Sequence, residues 1–263
     1  MRHFGLIGEH LRHSLSVPIH QAIFARENID ADYVLLEIPR CQLVIQTLQL
    51  MEKLDGLNVT IPYKQDVISV LAQVNDTAAR IGAVNTIDCH TRCGYNTDAA
   101  GFAAMLRHHG MDPKGQKCFV MGAGGASKAV VAALHAMGAA QVTLVSRTPR
   151  DGMIGYEELL EQFSGLLVNC TPVGMYPKPD ACPLTEEMLR SMLPCATGVA
   201  DLIYNPSETR LTAAAKAADV PACTGLYMLV AQAVEAERIW QGRDFSEELT
   251  HQVMRDMEER KLL

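Results

Sequence analysis

Hydrophobic and polar positions along the first half of the chain alternate between two spacings. Short apolar runs at residues 4–7, 33–38, 57–61 and 83–87 have the length and composition of strands. Between them, residues 17–26, 41–54 and 64–74 repeat their apolar positions at helical spacing. Strand–helix alternation with short connections predicts a mostly parallel sheet covered on both faces. A helix over 99–109 follows and stops at Gly110 and Pro113. The domain boundary is placed at the start of this helix. A second α/β series then begins, with a strand at 117–121, a glycine-rich turn, a helix at 127–137 and strands at 142–146, 166–169 and 199–204. A helix at 210–218, a short strand near Ala222 and a long helix at 226–240 close the pattern. The charged run 247–261 reads as an amphipathic lid or tail. The chain thus divides into an α/β domain over 1–98, completed by the C-terminal helices 226–263, and a second domain over 99–225.

Several strand ends carry polar groups that a plain core strand does not need. In GLNVTIPYK (56–64), Leu57, Val59 and Ile61 fall on one face and Asn58 and Thr60 on the other. Pro62 stops the ladder and predicts a helix beginning there. That helix puts Lys64 in its first turn, where the macrodipole disfavours a cation. In HSLSVPIH, Ser14 and Ser16 are two apart, so in extended chain both hydroxyls face the same way. They precede a helix N-terminus, a place that attracts carboxylates, although capping by Ser16 is the simpler account. Asn96, Thr97 and Asp98 stand ahead of another helix, where Thr97 or Asp98 could equally be an N-cap. Gln232 lies within an apolar helical stretch one turn after Met228, where it needs partners or costs ~1–3 kcal/mol.

The second half opens with FVMGAGGASKAVVAALHAMGA, a strand running through Gly122, Gly124 and Gly125 directly into a helix. Such glycines allow a tight turn and close approach of the backbone to a pyrophosphate on the helix N-terminus. Ser127 stands at the third position of the usual fingerprint. The next strand ends in VSRTPR, with Arg147 and Arg150 and no carboxylate before Asp151. An NAD site would place an acid there for the ribose hydroxyl, whereas an arginine fork suits a 2′-phosphate. NADP is therefore favoured over NAD, the alternative being a pair of solvated surface charges.

Composition narrows the class further. At 263 residues the chain fits one large or two modest domains, with ordinary hydrophobic (48%) and charged (20%) fractions. A net charge of −7 argues against general nucleic-acid binding. No apolar run reaches membrane-spanning length and the first nine residues lack a signal-peptide core, so the cytoplasm is the default. The eight cysteines are scattered, mostly in apolar segments, and read as buried reduced thiols. CHTRC (89–93) lacks a second ligand pair at zinc spacing and reads better as a hairpin turn than as a metal site.

These segments, taken in order, resemble the shikimate dehydrogenase family over nearly the whole chain. They are SLSVPIH (14–20), NVTIPYK (58–64), GAVNT (82–86), NTDAAGF (96–102), GAGGAS (122–127), SRT (146–148), NCTPVGM (169–175), DLIYNPSET (201–209) and GLYMLVAQA (225–233). The resemblance implies an α/β fold with a substrate domain and a Rossmann-type NADP-binding domain flanking a cleft. It implies NADP-dependent, reversible oxidation of shikimate to 3-dehydroshikimate in aromatic amino-acid biosynthesis, by a cytoplasmic monomer or homodimer. By that similarity Lys64 and Asp98 form the catalytic pair, and Ser14 and Ser16 hold the substrate carboxylate. Thr60, Asn85, Asp98 and Gln232 contact its hydroxyls, with Asn58 close by and Tyr204 approaching. The cofactor is assigned to Gly122, Ala123, Gly124, Gly125, Ala126, Ser146, Arg147, Thr148, Arg150, Gly225 and Met228. The chemistry is consistent with this: hydride removal from a secondary alcohol needs a group to take the hydroxyl proton. A helix N-terminus would lower the Lys64 pKa, while Asp98 would orient the amine and raise it. Two departures from the family pattern stand out. Gln21 follows His20 where the family usually has asparagine, and the segment 150–165 is short for a Rossmann crossover by about one helix. Quinate or an aminated shikimate analogue remain as substrates, Ser16 favouring shikimate. A ligand sensor without turnover and a folate-acting fold relative remain as other classes.

Overall fold

Strand β1 (Arg2–Gly8) is buried along its last five residues, the pattern of a central strand covered on both faces. The structure is a computed structural model that describes residues 1–11 and 14–259. Its described residues divide into two compact units, 1–100 with 230–259, and 101–229.

In the first unit, β1 pairs in parallel with β2 (Ala31–Glu37) and β3 (Gly56–Val59), with α1 (Ser16–Glu27) and α2 (Leu43–Met51) as the connections. The segment expected to form a helix from Pro62 to residue 74 does not. It makes turns, a 3-10 stretch at Asp66–Val70 and then a two-residue strand β4 (Gln73–Val74). Its apolar residues do anchor it, since Val67 is buried, but strand pairing competes for the backbone. Ala72 and Gln73 donate to the Arg92 carbonyl and Asn75 donates to Gly94. Ile61, assigned to the apolar face of a strand that ends at Val59, is 75% exposed. A short helix α3 (Asp76–Ile81), unforeseen in the sequence, leads to β5 (Thr86–Asp88).

β5 runs antiparallel to β3, not parallel, because after β4 the chain returns through α3 to the carboxyl end of β3 before it enters β5. Val84 donates to the Lys64 carbonyl and Val59 donates to Asn85, so the chain re-enters from that end. The CHTRC segment is indeed a hairpin turn, joining β5 to antiparallel β6 (Cys93–Tyr95). The sheet order is β2-β1-β3-β5-β6-β4.

Helix α4 (Asp98–His108) leads into the second unit. That unit contains β7 (Lys117–Met121), α5 (Gly125–Ala136), β8 (Gln141–Val145), β9 (Met153–Ile154), α6 (Tyr156–Gln162), β10 (Gly165–Asn169), α7 (Glu186–Met192), β11 (Ala196–Asp201), α8 (Arg210–Ala217) and β12 (Ala222–Cys223). Every pairing is parallel and the order is β12-β11-β10-β7-β8-β9. This is the doubly wound order of dinucleotide-binding sheets, with its switch point between β7 and β10. The crossover 150–165 has no helix between β8 and β9. It holds the edge strand β9 and the two-turn helix α6, whose Leu159 is buried with Phe119 and Phe163. The expected strand to residue 204 stops at Asp201, whose carboxylate takes the Ile203 N–H away from the ladder.

Helices α9 (Leu226–Gln241) and α10 (Glu247–Glu259) follow. Trp240 of α9 stacks on Phe4 with ring centroids 4.7 Å apart and donates to the Ile87 carbonyl. α10 buries Leu249, Val253 and Met257 and packs on α1, with the Arg26 guanidinium on Asp256. It is therefore a packed tail; the last two residues of the expected helix, 260 and 261, lie outside the described residues. All eight cysteines are free, but only Cys89, Cys118 and Cys223 are buried, and Cys41 and Cys195 are exposed. Among the described residues no helix is long and apolar enough to cross a membrane.

Candidate active site

Lys64 stands in the turn after β3, fixed from both sides. Tyr63 before it is fully buried, with its hydroxyl on the Ile38 carbonyl, and the Lys64 carbonyl accepts from Val84 N–H at 2.7 Å. Lys64 does not stand in the first turn of an α-helix, as expected, but two residues ahead of the 3-10 stretch. Its Nζ donates to Asp98 Oδ2 at 2.7 Å, and both side chains are largely buried.

Asp98 opens α4, where a carboxylate is stabilised by the dipole by about 0.3–1 kcal/mol. It is the first helical residue, and its other oxygen, Oδ1, accepts from Asn85 Nδ2 at 2.9 Å. Asn85 is the hub of the cluster. Its Oδ1 accepts from Thr97 N–H at 2.8 Å and from the Thr86 hydroxyl at 3.1 Å. Its Nδ2 also faces Thr97 Oγ1 at 3.0 Å and Gln232 Oε1 at 3.4 Å. The Thr97 hydroxyl reaches Gln232 Oε1 at 3.3 Å, so it serves the cluster. Lys64, Asn85, Thr97, Asp98 and Gln232 therefore meet in one place within the first unit.

Asn58 is tied to this cluster from behind. Its Nδ2 donates to Thr86 Oγ1 at 3.0 Å and to the Asn85 carbonyl, and its Oδ1 accepts from the Tyr33 hydroxyl at 2.7 Å. Both of its donors are spent inside the fold, so it supports Asn85 and Thr86. Burial pushes the Tyr33 phenol well above its ordinary range, with Glu237 adding to the effect and a hydrogen bond to Ser16 opposing it. Tyr33 stacks on His20 at 4.0 Å, and His20 Nδ1 meets Glu237 Oε1 at 2.7 Å, all buried. The Ser14 hydroxyl donates to Ser16 Oγ at 3.1 Å and accepts from Ser16 N–H. The two serines converge as expected, but through a turn: Leu15 between them is not extended, and Ser16 is already helical. Thr60 lies at the end of β3, and its hydroxyl makes no hydrogen bond among the described residues.

In the second unit, Gly122 has φ +102°, a conformation L residues avoid. A Cβ there would lie 3.1 Å from Thr171 Cγ2 and 3.2 Å from the Cys170 backbone. On Gly124 or Gly125 a Cβ would meet nothing within 4 Å, so no contact inside the chain requires glycine. Ala123 is exposed beside them and Ala126 lies in the first turn of α5. The helix has no side-chain cap, which leaves backbone donors facing open space, the arrangement a pyrophosphate fits. Ser127 is buried and donates to the Gly124 carbonyl at 2.7 Å, so it holds the turn where a third glycine would permit packing.

After β8, Ser146 and Thr148 close a small turn through the Ser146 hydroxyl. Arg147 and Arg150 are exposed, and neither guanidinium has an ion pair or hydrogen bond among the described residues. Arg147 is near enough to Tyr156 to oppose the rise that burial gives its phenol. Tyr204 is partly buried in the turn after β11, and Gly225 donates to the Ile203 carbonyl just ahead of α9. Met228 is buried in the first turn of α9. Sequence reasoning missed Thr86 and Tyr33 as supports, and the pair Asn169 and Asp201. Thr86 and Asn169 lay inside quoted motifs, but nothing in a single sequence said which way their side chains point.

A doubly wound parallel sheet with a glycine turn at its switch point, joined in one chain to a second α/β unit holding a lysine–carboxylate pair, defines a two-domain dinucleotide-dependent oxidoreductase. A profile described as the shikimate dehydrogenase substrate binding domain matches residues 6–87. The shikimate dehydrogenase (NADP(+)) of Clostridium beijerinckii is 40% identical over 95% of this chain and 96% of its own length. The crystal structure of a chorismate mutase/shikimate 5-dehydrogenase fusion protein from Clostridium acetobutylicum superposes with a TM-score of 0.93 at 37% identity, covering 99% of this chain and 98% of that one. The shikimate 5-dehydrogenase of Thermus thermophilus, solved in complex with NADP(H) and shikimate, gives 0.87 at 32% identity over the full length of both chains. The chain belongs to the shikimate dehydrogenase family.

Proposed function

We propose that this protein catalyses the reversible, NADP-dependent oxidation of shikimate to 3-dehydroshikimate in aromatic amino-acid biosynthesis, acting in the cytoplasm as a monomer or homodimer. The Lys64–Asp98 ion pair at 2.7 Å, locked by Asn85, is the observation that carries this reading. NADP, when bound, accepts the hydride from the carbinol carbon. The chain's task is the hydroxyl proton. In the direction of oxidation the pair receives it, and in the direction of reduction Lys64 Nζ returns it to the forming alkoxide. Asp98 keeps Nζ on one line of approach, and Asn85 keeps Asp98 from rotating away.

Thr60, Asn85 and Gln232 orient the ring hydroxyls, and Ser14 and Ser16 receive the carboxylate before the N-terminus of α1. Tyr204 contacts the substrate as well. Gly122, Ala123, Gly124, Gly125 and Ala126 take the pyrophosphate, while Ser146, Arg147, Thr148 and Arg150 take the 2′-phosphate. Gly225 and Met228 lie at the nicotinamide end. The family relatives carry NADP in their names, and the two unpaired arginines support the same choice here. The test is absorbance of the reduced cofactor with shikimate and with quinate, each against NADP and NAD. Turnover with shikimate and NADP is expected to lead by at least about tenfold, the size of one charge-assisted contact. A lead for quinate, or equal use of NAD, overturns the substrate or the cofactor assignment respectively.

A further inference from the structure

At the carboxyl ends of β10 and β11 two polar side chains with no exposed surface face each other, Asn169 and Asp201. Asn169 Nδ2 donates to Asp201 Oδ1 at 2.9 Å, and the same oxygen accepts from Ile203 N–H at 3.1 Å. Asp201 Oδ2 accepts from the Thr209 hydroxyl at 2.8 Å. On the other side, Asn169 Oδ1 accepts from the N–H and the hydroxyl of Thr171 at 3.0 and 2.7 Å. Every hydrogen-bond partner of the carboxylate is a neutral donor, and burial pushes it up to about 6. A buried charge without a cation is an expensive way to join two strands, which an amide pair or an apolar pair would do at less cost.

The pair holds more than the two strands together. Through Asn169 it fixes Thr171, whose methyl group closes on Gly122, the residue that begins the glycine turn. Through Ile203 N–H it fixes the turn after β11. There a Cβ on Gly225 would collide with the Leu202 carbonyl, and the Ile203 carbonyl accepts from Gly225 N–H at 2.9 Å. One carboxylate thus holds the glycine turn, the 170–174 loop and the approach to α9, three segments around the switch point where this sheet class binds its ligand.

We propose that Asp201, acting through Asn169, is a positioning residue for the cofactor, setting the walls of the NADP crevice without touching the dinucleotide. This rests on the reading of the second unit as the NADP site. The experiment compares full-length wild type with Asp201→Ala, Asp201→Asn and Asn169→Ala. NADP affinity is measured by calorimetry, KM for each substrate and kcat by absorbance, and folding by circular dichroism.

Asp201→Ala is expected to weaken NADP binding by about tenfold or more, the effect of losing hydrogen bonds to a charged group, with KM for shikimate within about twofold of wild type. Asp201→Asn keeps an acceptor toward Asn169 and Ile203 and recovers most of the loss. If Asp201→Ala fails to fold, Asn169→Ala carries the same expectation, since it releases Thr171 while Asp201 keeps Ile203 N–H and the Thr209 hydroxyl. Wild-type NADP affinity in folded Asp201→Ala or Asn169→Ala overturns the proposal, as does an Asp201→Asn variant as weak as alanine. Equal loss of both substrates also overturns it, as a merely structural effect. A wild-type protein that binds no NADP would instead overturn the cofactor reading itself.

Discussion

Lys64 and Asp98 act as one group or not at all, because each is the other's only close charge of opposite sign among the described ion pairs. Lys64→Ala is expected to lower kcat by ~10²–10⁴ while weakening shikimate binding far less, since the amine works in the transition state. Asp98→Asn should fall in the same range, and the double variant should be little worse than either alone. Near-full turnover in Lys64→Ala, or fully additive losses, would remove the pair from the mechanism. The composition of this cluster was visible in the sequence: Lys64, Asn85, Asp98 and Gln232 sit in motifs with a family counterpart. Its construction was not. Asn85 lies just ahead of β5 and not within a strand, and Thr86 and Tyr33 support the site from inside the core, where a hydroxyl has no periodic signature.

Elements were legible where tertiary packing agreed with local pattern. The glycine turn and α5, the long α9 and the hairpin after β5 all follow directly from spacing and turn residues. The failure at 62–74 is instructive, because its apolar residues fit a helix but its backbone is claimed by β6. The helices α3, α6 and α7 are six or seven residues long, too short for periodicity to stand out. The two-residue strand β9 extends the sheet beyond β8, and Arg147 stands just after β8. Arg147→Ala should therefore raise KM for NADP by about tenfold or more while leaving KM for NAD nearly unchanged. Steady-state assays with both cofactors decide it, and equal losses would make Arg147 an ordinary surface charge.

For the molecule as a whole, the buried Asp201 couples stability to pH in an unusual direction. Its folded-state carboxyl stands at about 6 against an ordinary 3.8, so between those values the native protein keeps a proton that the unfolded chain has released. Stability from this group is fully present below the lower value and is lost as pH rises through the upper one, by ~2–3 kcal/mol. Asp201→Asn should remove that slope. The difference in unfolding free energy between variant and wild type, measured in urea from about pH 4 to about pH 8, should grow in favour of the variant. A difference independent of pH would place the proton elsewhere.

The first unit is also discontinuous in the chain: Phe4 and Gly56 receive the Trp240 ring, and α1 receives α10. On the ribosome this reverses the usual order of maturation. The second unit is a single stretch that is complete once Leu229 has emerged, whereas the first hundred residues must wait for a tryptophan synthesised 140 positions after residue 100. At ~5–20 residues per second that wait lasts on the order of ten seconds. Throughout it Phe4 lacks the ring that stacks on it in the finished fold. Trp240, the protein's sole tryptophan, makes the moment of closure a fluorescence event.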